Sequence, residues 1–188
     1  MKIAPKELDL DSVNTFRFDY DTLFSAFLED DAKEFAAVEL RSNKKSFKLV
    51  LVGELTTEGI HTNDYGHSIG IALEDAQDVK MLEELSNLFS LTMTEVPKDF
   101  EIKPVLRNGI LYLKMKEKNG KYVANCDVSI NPKNPKKGLE RGQPVHVEVD
   151  IKAYLNFKSK IAGFYFPIVS IKTKLDGPAP KKAKKLSQ

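Results

Sequence analysis

Two Asn-Gly dipeptides, Asn108-Gly109 and Asn119-Gly120, each stand between runs in which apolar and polar residues alternate. Both central positions of a type I′ turn need positive φ, which Asn and Gly tolerate, so these dipeptides predict two hairpins sharing a strand over 110–118, a three-stranded meander. A chain punctuated in this way is directed toward antiparallel sheet. Further strand-like runs fall at 15–20, where Phe16, Phe18 and Tyr20 recur at period two, and at 35–40 and 47–55 around a turn at 41–46. Residues 59–67 have loop composition, 68–73 suit a short strand, and 145–175 hold two long strands around 158–163. Two prolines, Pro132 and Pro135, and three lysines make 131–138 a positive connecting loop. The period changes only across 74–91. There Val79, Leu82, Leu85, Leu88 and Phe89 recur at three- and four-residue steps, which predicts one amphipathic helix with an acidic first turn.

A length of 188 residues with 41% hydrophobic content is enough for a sizeable core. Residues 1–175 are expected to form a single β-rich domain, and 176–188, dominated by Gly, Pro and Lys, a disordered basic tail. Cys126 is the only cysteine, so no intramolecular disulfide forms and a reducing compartment is expected. No apolar run approaches the ~20 residues that span a bilayer. The first ten residues carry Glu7 and Asp9 where a signal peptide needs an apolar stretch, so an intracellular protein without a membrane role is expected.

Charge is divided along the chain. Residues 1–103 carry about −10 and residues 104–188 about +12, which cancel to the net +2. Such asymmetry points to a polyanionic partner for the second half. Strand parity refines the idea, because successive side chains point to opposite faces of a sheet. On 110–116, Leu111, Leu113 and Met115 share one face and Tyr112, Lys114 and Lys116 the other. On 145–158, Val147, Val149, Ile151 and Leu155 are expected in the core, with Lys152, Tyr154, Asn156 and Lys158 opposite. On 164–174, Val169 and Ile171 look interior, which puts Phe164 and Phe166 on one face with Lys172 and Lys174. Arg107 and Lys160 complete the basic set. Cations for phosphate beside flat rings for bases suit single-stranded nucleic acid, where each stacked base is worth ~1–3 kcal/mol. A competing reading places Phe164 and Phe166 in an apolar face packed on the helix.

Catalytic chemistry finds little support in the sequence. His61, Asp64 and His67 lie in one stretch without the additional convergent ligand that a metal site needs. Cys126 reads as a small buried residue rather than a nucleophile. No phosphate loop, dinucleotide glycine fingerprint or Gly-x-Ser-x-Gly elbow occurs. No catalytic residue, metal or cofactor is expected.

The second half resembles the OB-fold single-stranded-DNA-binding proteins of phages and large DNA viruses. The resemblance rests on Leu106 to Lys116, Gly142-Gln-Pro-Val-His-Val-Glu-Val149, Tyr154-Leu-Asn-Phe157 and Gly163 to Ile171. It covers about half of the chain and follows an order of strands and loops rather than a short diagnostic motif. It implies sequence-independent binding of single strands in DNA replication, recombination or repair, in a barrel groove lined by Tyr112, Lys114, Lys116, Tyr154, Lys158 and Phe164. Several phage members end in an acidic tail, whereas Lys181 to Lys185 are basic, so autoinhibition by the tail is not expected. The basic tail suits added affinity for nucleic acid or, in a eukaryotic host, nuclear localisation; otherwise a cytoplasmic protein is expected.

The expected fold is therefore mainly β, an OB-like antiparallel barrel with one amphipathic helix, and a two-sheet sandwich is the alternative. RNA binding, or a protein-interaction module without nucleic-acid affinity, are the alternative functions; replication proteins and further copies of the chain are candidate partners.

Overall fold

A computed structural model of the chain describes residues 1–13, 18–64, 66–92 and 99–175. The predicted tail at 176–188, and residues 15–17 of the period-two run, lie outside these. In chain order the elements begin with β1 (Lys2–Ile3), α1 (Tyr20–Glu29), β2 (Phe35–Glu39), the hairpin β3 (Arg41–Ser42) and β4 (Lys45–Ser46), and β5 (Lys48–Leu55). β6 (His61–Asn63), β7 (Gly66–Leu73), α2 (Ala76–Thr92), β8 (Glu101–Ile102) and β9 (Leu111–Met115) follow. The last third contains the hairpin β10 (Glu117–Lys118) and β11 (Lys121–Tyr122), then β12 (Asn125–Cys126), β13 (Pro144–Val149), β14 (Lys152–Asn156), β15 (Ile161–Tyr165) and β16 (Ile168–Lys172).

The architecture is mainly β and barrel-like. Eight strands form a strongly curled sheet in the order β12-β16-β13-β5-β7-β6, with β1 on β5 and β9 on β7. A second sheet runs β2-β14-β15-β8. The strands β5 and β7 thus belong to the same sheet as β9, β13 and β16, so the first 73 residues help build the curled sheet.

One bent ribbon joins the two sheets. β13 runs into β14 and β15 into β16, and at the bend the Asp150 N–H donates to the Pro167 carbonyl at 2.9 Å. Alternation survives this bend on one strand: Val145, Val147, Val149, Ile151, Ala153, Leu155 and Phe157 are all buried. On the other strand it does not survive. Val149 pairs with Ile168 but Glu148 with Ser170, so Val169 is the extra residue of a β-bulge. Phe164, Phe166 and Ile168 are therefore buried on one parity and Ile171 on the other, while Val169 is only half-buried. At the open edge of the curl, the Lys114 N–H donates to the Phe166 carbonyl at 2.9 Å, bringing β9 back to the ribbon.

Both Asn-Gly turns adopt the expected conformation, with φ of 53° and 76° at Asn108 and Gly109 and 53° and 75° at Asn119 and Gly120. The meander they suggested does not form. β9 pairs with β7, and β8 pairs in parallel with β15. Within the stretch whose composition suggested a loop, His61–Asn63 pairs with Gly66–Ser68.

α2 occupies the predicted helical segment and buries Leu82, Leu85, Leu88 and Phe89 against the sheets. A second helix, α1, begins at Tyr20, where Asp19 caps it by accepting from the Thr22 N–H. Its half-buried Tyr20, Phe24 and Phe27 gather around Phe157 with ring centroids 5.7–6.0 Å away.

Candidate nucleic-acid interface

The outer face of the second sheet carries a group of outward-facing aromatic residues. With β14 in the middle, that face presents Phe35, Ala37 and Glu39 from β2, Lys152, Tyr154 and Asn156 from β14, and Ile161, Gly163 and Tyr165 from β15. Tyr154 lies at the centre, opposite Ala37 on one side and Gly163 on the other. Neither neighbour has a side chain large enough to lift the ring. At Gly163 even a methyl group would stand 3.1 Å from Tyr154 Cε1 and Oη, so the ring rests directly over the strand.

Three rings meet here. Phe35 stacks on Tyr154 at 5.6 Å with 23° between planes, Phe35 and Tyr165 are 5.9 Å apart, and Tyr154 and Tyr165 meet edge to face at 5.9 Å. Phe35 remains 51% exposed. Burial pushes the Tyr154 and Tyr165 phenols above their ordinary range, and at Tyr154 the charge of Arg107 works against that rise. The rings stay neutral at physiological pH. A mutually supported patch of neutral rings, open on one side, offers a π surface on which a planar group can lie.

Of the other predicted residues, Lys152 shares this face. Lys152 stands opposite Tyr165 on one neighbour strand and Glu39 on the other. Arg107 precedes the Asn108-Gly109 turn, and its guanidinium lies 4.4 Å from the Tyr112 ring centroid. Lys158 and Lys160 are exposed in the β14–β15 turn, which Asn156 closes by accepting from the N–H groups of Lys158 and Ser159. Lys160 is already paired, with Asp99 at 2.9 Å, and that carboxylate holds its ammonium above the usual lysine range. Lys114 and Lys116 are exposed on and just beyond β9.

Phe164 and Lys172 are not part of this face, and Tyr112, Lys114 and Lys116 lie on or just beyond β9 of the curled sheet. Phe164 is 9% exposed and packs edge to face on Phe89 of α2 at 4.7 Å, as the competing reading of the sequence had it. The bulge at Val169 is the cause: it separates the parity of Phe164 from that of Lys172. Lys172 lies on the curled sheet, beside His146 and away from the ribbon's bend. In place of Phe164 the face gains Tyr165 and Phe35. Splitting the 164–174 strand at Pro167, which cannot donate to a ladder, would have pointed to Tyr165. For Phe35 the sequence holds no comparable signal.

The weaker chemical candidates are engaged otherwise. His67 Nδ1 is 2.8 Å from Thr62 Oγ1 and its Nε2 is 2.7 Å from Glu117 Oε2, while His61 and Asp64 stay exposed. Among the described residues no group of three or more His, Cys, Asp and Glu could hold a metal ion. Burial pushes the Cys126 thiol up, the opposite of nucleophile activation. Among the described residues no helix is long and apolar enough to cross a membrane. No protein-family model matches the chain, and no curated protein matches its sequence.

Proposed function

We propose that the protein binds single-stranded DNA without sequence preference, as a non-enzymatic component of intracellular DNA replication, recombination or repair. The observation that carries this reading is the patch of Phe35, Tyr154 and Tyr165, with Lys152 on the same sheet face. Every base has a π face, so stacking on these rings tolerates any sequence, and only an unpaired strand can turn its bases outward to reach them. The lysines around the patch supply phosphate neutralisation, which releases counterions and makes affinity depend on salt. The resemblance of the second half's sequence to viral and phage single-strand binders points the same way.

Fluorescence anisotropy of labelled single-stranded DNA, duplex DNA and single-stranded RNA, titrated across a salt series, tests it. Single-stranded DNA should bind best, with log affinity falling linearly in log salt. Phe35→Leu, Tyr154→Leu and Tyr165→Leu should each weaken binding by about 1–3 kcal/mol. Equal weak binding to all three nucleic acids, indifferent to these substitutions, would sink the proposal. A preference for RNA would move the function to RNA, where the 2′-hydroxyl discriminates.

A further inference from the structure

Arg107 differs from the surrounding lysines in how it is held. Its backbone is fixed on both sides of a two-residue turn: the Arg107 N–H donates to the Ile110 carbonyl at 2.9 Å and the Ile110 N–H to the Arg107 carbonyl at 3.0 Å. Its guanidinium lies over the Tyr112 ring at 4.4 Å. No carboxylate among the described residues pairs with it, although Lys160, Lys48 and Lys2 all have such partners. An exposed guanidinium, fixed by a ring and in no carboxylate pair, is suited to the two non-bridging oxygens of a phosphodiester.

The Tyr112 ring is committed in turn. Arg107 covers one face, and the ring also lies against β7, where a methyl group on Gly70 would approach Tyr112 Cε1 at 3.3 Å. Tyr112 pairs with Gly70 across the ladder, so the absence of a side chain there lets the ring settle against the strand.

We infer that Arg107 grips a backbone phosphate of a strand whose base lies on Tyr154, and that Tyr112 is a positioning residue that holds the guanidinium in place rather than a stacking surface itself. The assignment rests on the single-strand reading and divides its residues by role: Phe35, Tyr154 and Tyr165 take a base, Arg107 a phosphate, and Tyr112 neither.

A double-mutant cycle on an oligothymidylate, read by anisotropy over a salt series, tests the assignment. Arg107→Ala should weaken binding about tenfold or more and reduce the magnitude of the salt slope by ~0.7, the value of one phosphate contact on a single strand. Tyr112→Leu should weaken binding to a similar extent in the wild-type background but add nothing once Arg107 is alanine. Tyr112→Phe, which keeps the ring face, should bind as wild type. Arg107→Lys keeps the charge but not the flat stacked group, and should lose most of what Arg107→Ala loses; this comparison also decides the matter if Tyr112→Leu fails to fold. The assignment is overturned if Tyr112→Leu costs as much without Arg107 as with it, or if Arg107→Lys binds as wild type. A wild-type protein that binds no oligothymidylate overturns the single-strand reading and this assignment together, whereas binding with additive losses removes only the assignment.

Discussion

Gly163 shows how one missing side chain shapes the candidate site. Glycine in a strand interior weakens the sheet, yet here it leaves room for Tyr154 to lie across β15. A methyl at this position would meet the tyrosine ring at 3.1 Å, tight enough to move the ring by a few tenths of an ångström. Alanine also restricts the unfolded chain, which offsets part of the steric cost by ~0.4–1 kcal/mol. Gly163→Ala is therefore expected to leave the melting temperature within about 2–4 °C of wild type while weakening single-strand binding by about 1 kcal/mol. Thermal denaturation beside anisotropy checks this, and equal binding by both proteins would mean that the Tyr154 ring is not a contact surface. At this scale the sequence was partly legible. Tyr154 and Lys152 were placed on the outer face by unbroken alternation from Val145 to Phe157, but Phe164 was misplaced because a single bulged residue, Val169, reverses parity without a sequence signature.

Elements were legible where their pattern is local, and obscure where it depends on partners. α2 follows from apolar spacing alone, and the Asn-Gly turns follow from their φ requirements. The pairing of β9 with β7 joins residues far apart in sequence, and alternation along one strand does not say which strand lies beside it. α1 is hidden for a different reason: the period-two run Phe16, Phe18 and Tyr20 suggests a strand, yet Tyr20 is the first residue of the helix that Asp19 caps. None of its residues is fully buried, so its stability comes from packing on Phe157, which is 4% exposed and touches Tyr20, Phe24, Phe27 and Phe100. Phe157→Ala should cost about 3–5 kcal/mol, and amide exchange should lose its protection in α1 before it does so in β5 or β13. Retained protection in α1 would mean that contacts other than the Phe157 ring hold the helix.

Across the whole molecule, the division of charge along the sequence does not become two faces. β5, from the acidic half, lies between β13 of the basic half and β7. Ion pairs cross between the halves as well: Lys2 with Glu148 at 2.7 Å, Lys48 with Asp150 at 2.8 Å and Lys160 with Asp99 at 2.9 Å. Folding thus neutralises some of the few carboxylates of the second half with lysines of the first, leaving Lys116, Lys152 and Lys158 in no carboxylate pair among the described residues. Exposed pairs of this kind are worth only ~0–1 kcal/mol each, and salt screens them, so the fold should depend little on ionic strength. Binding should depend on it strongly, because each phosphate contact releases a counterion. Melting curves recorded across the same salt series as the anisotropy titrations separate the two effects. A melting temperature that holds within a few degrees while affinity falls log-linearly assigns the loss to the interface. Parallel decline of both would instead mean that salt unfolds the protein, and the lysines would then count as structural charges rather than contacts to a polyanion.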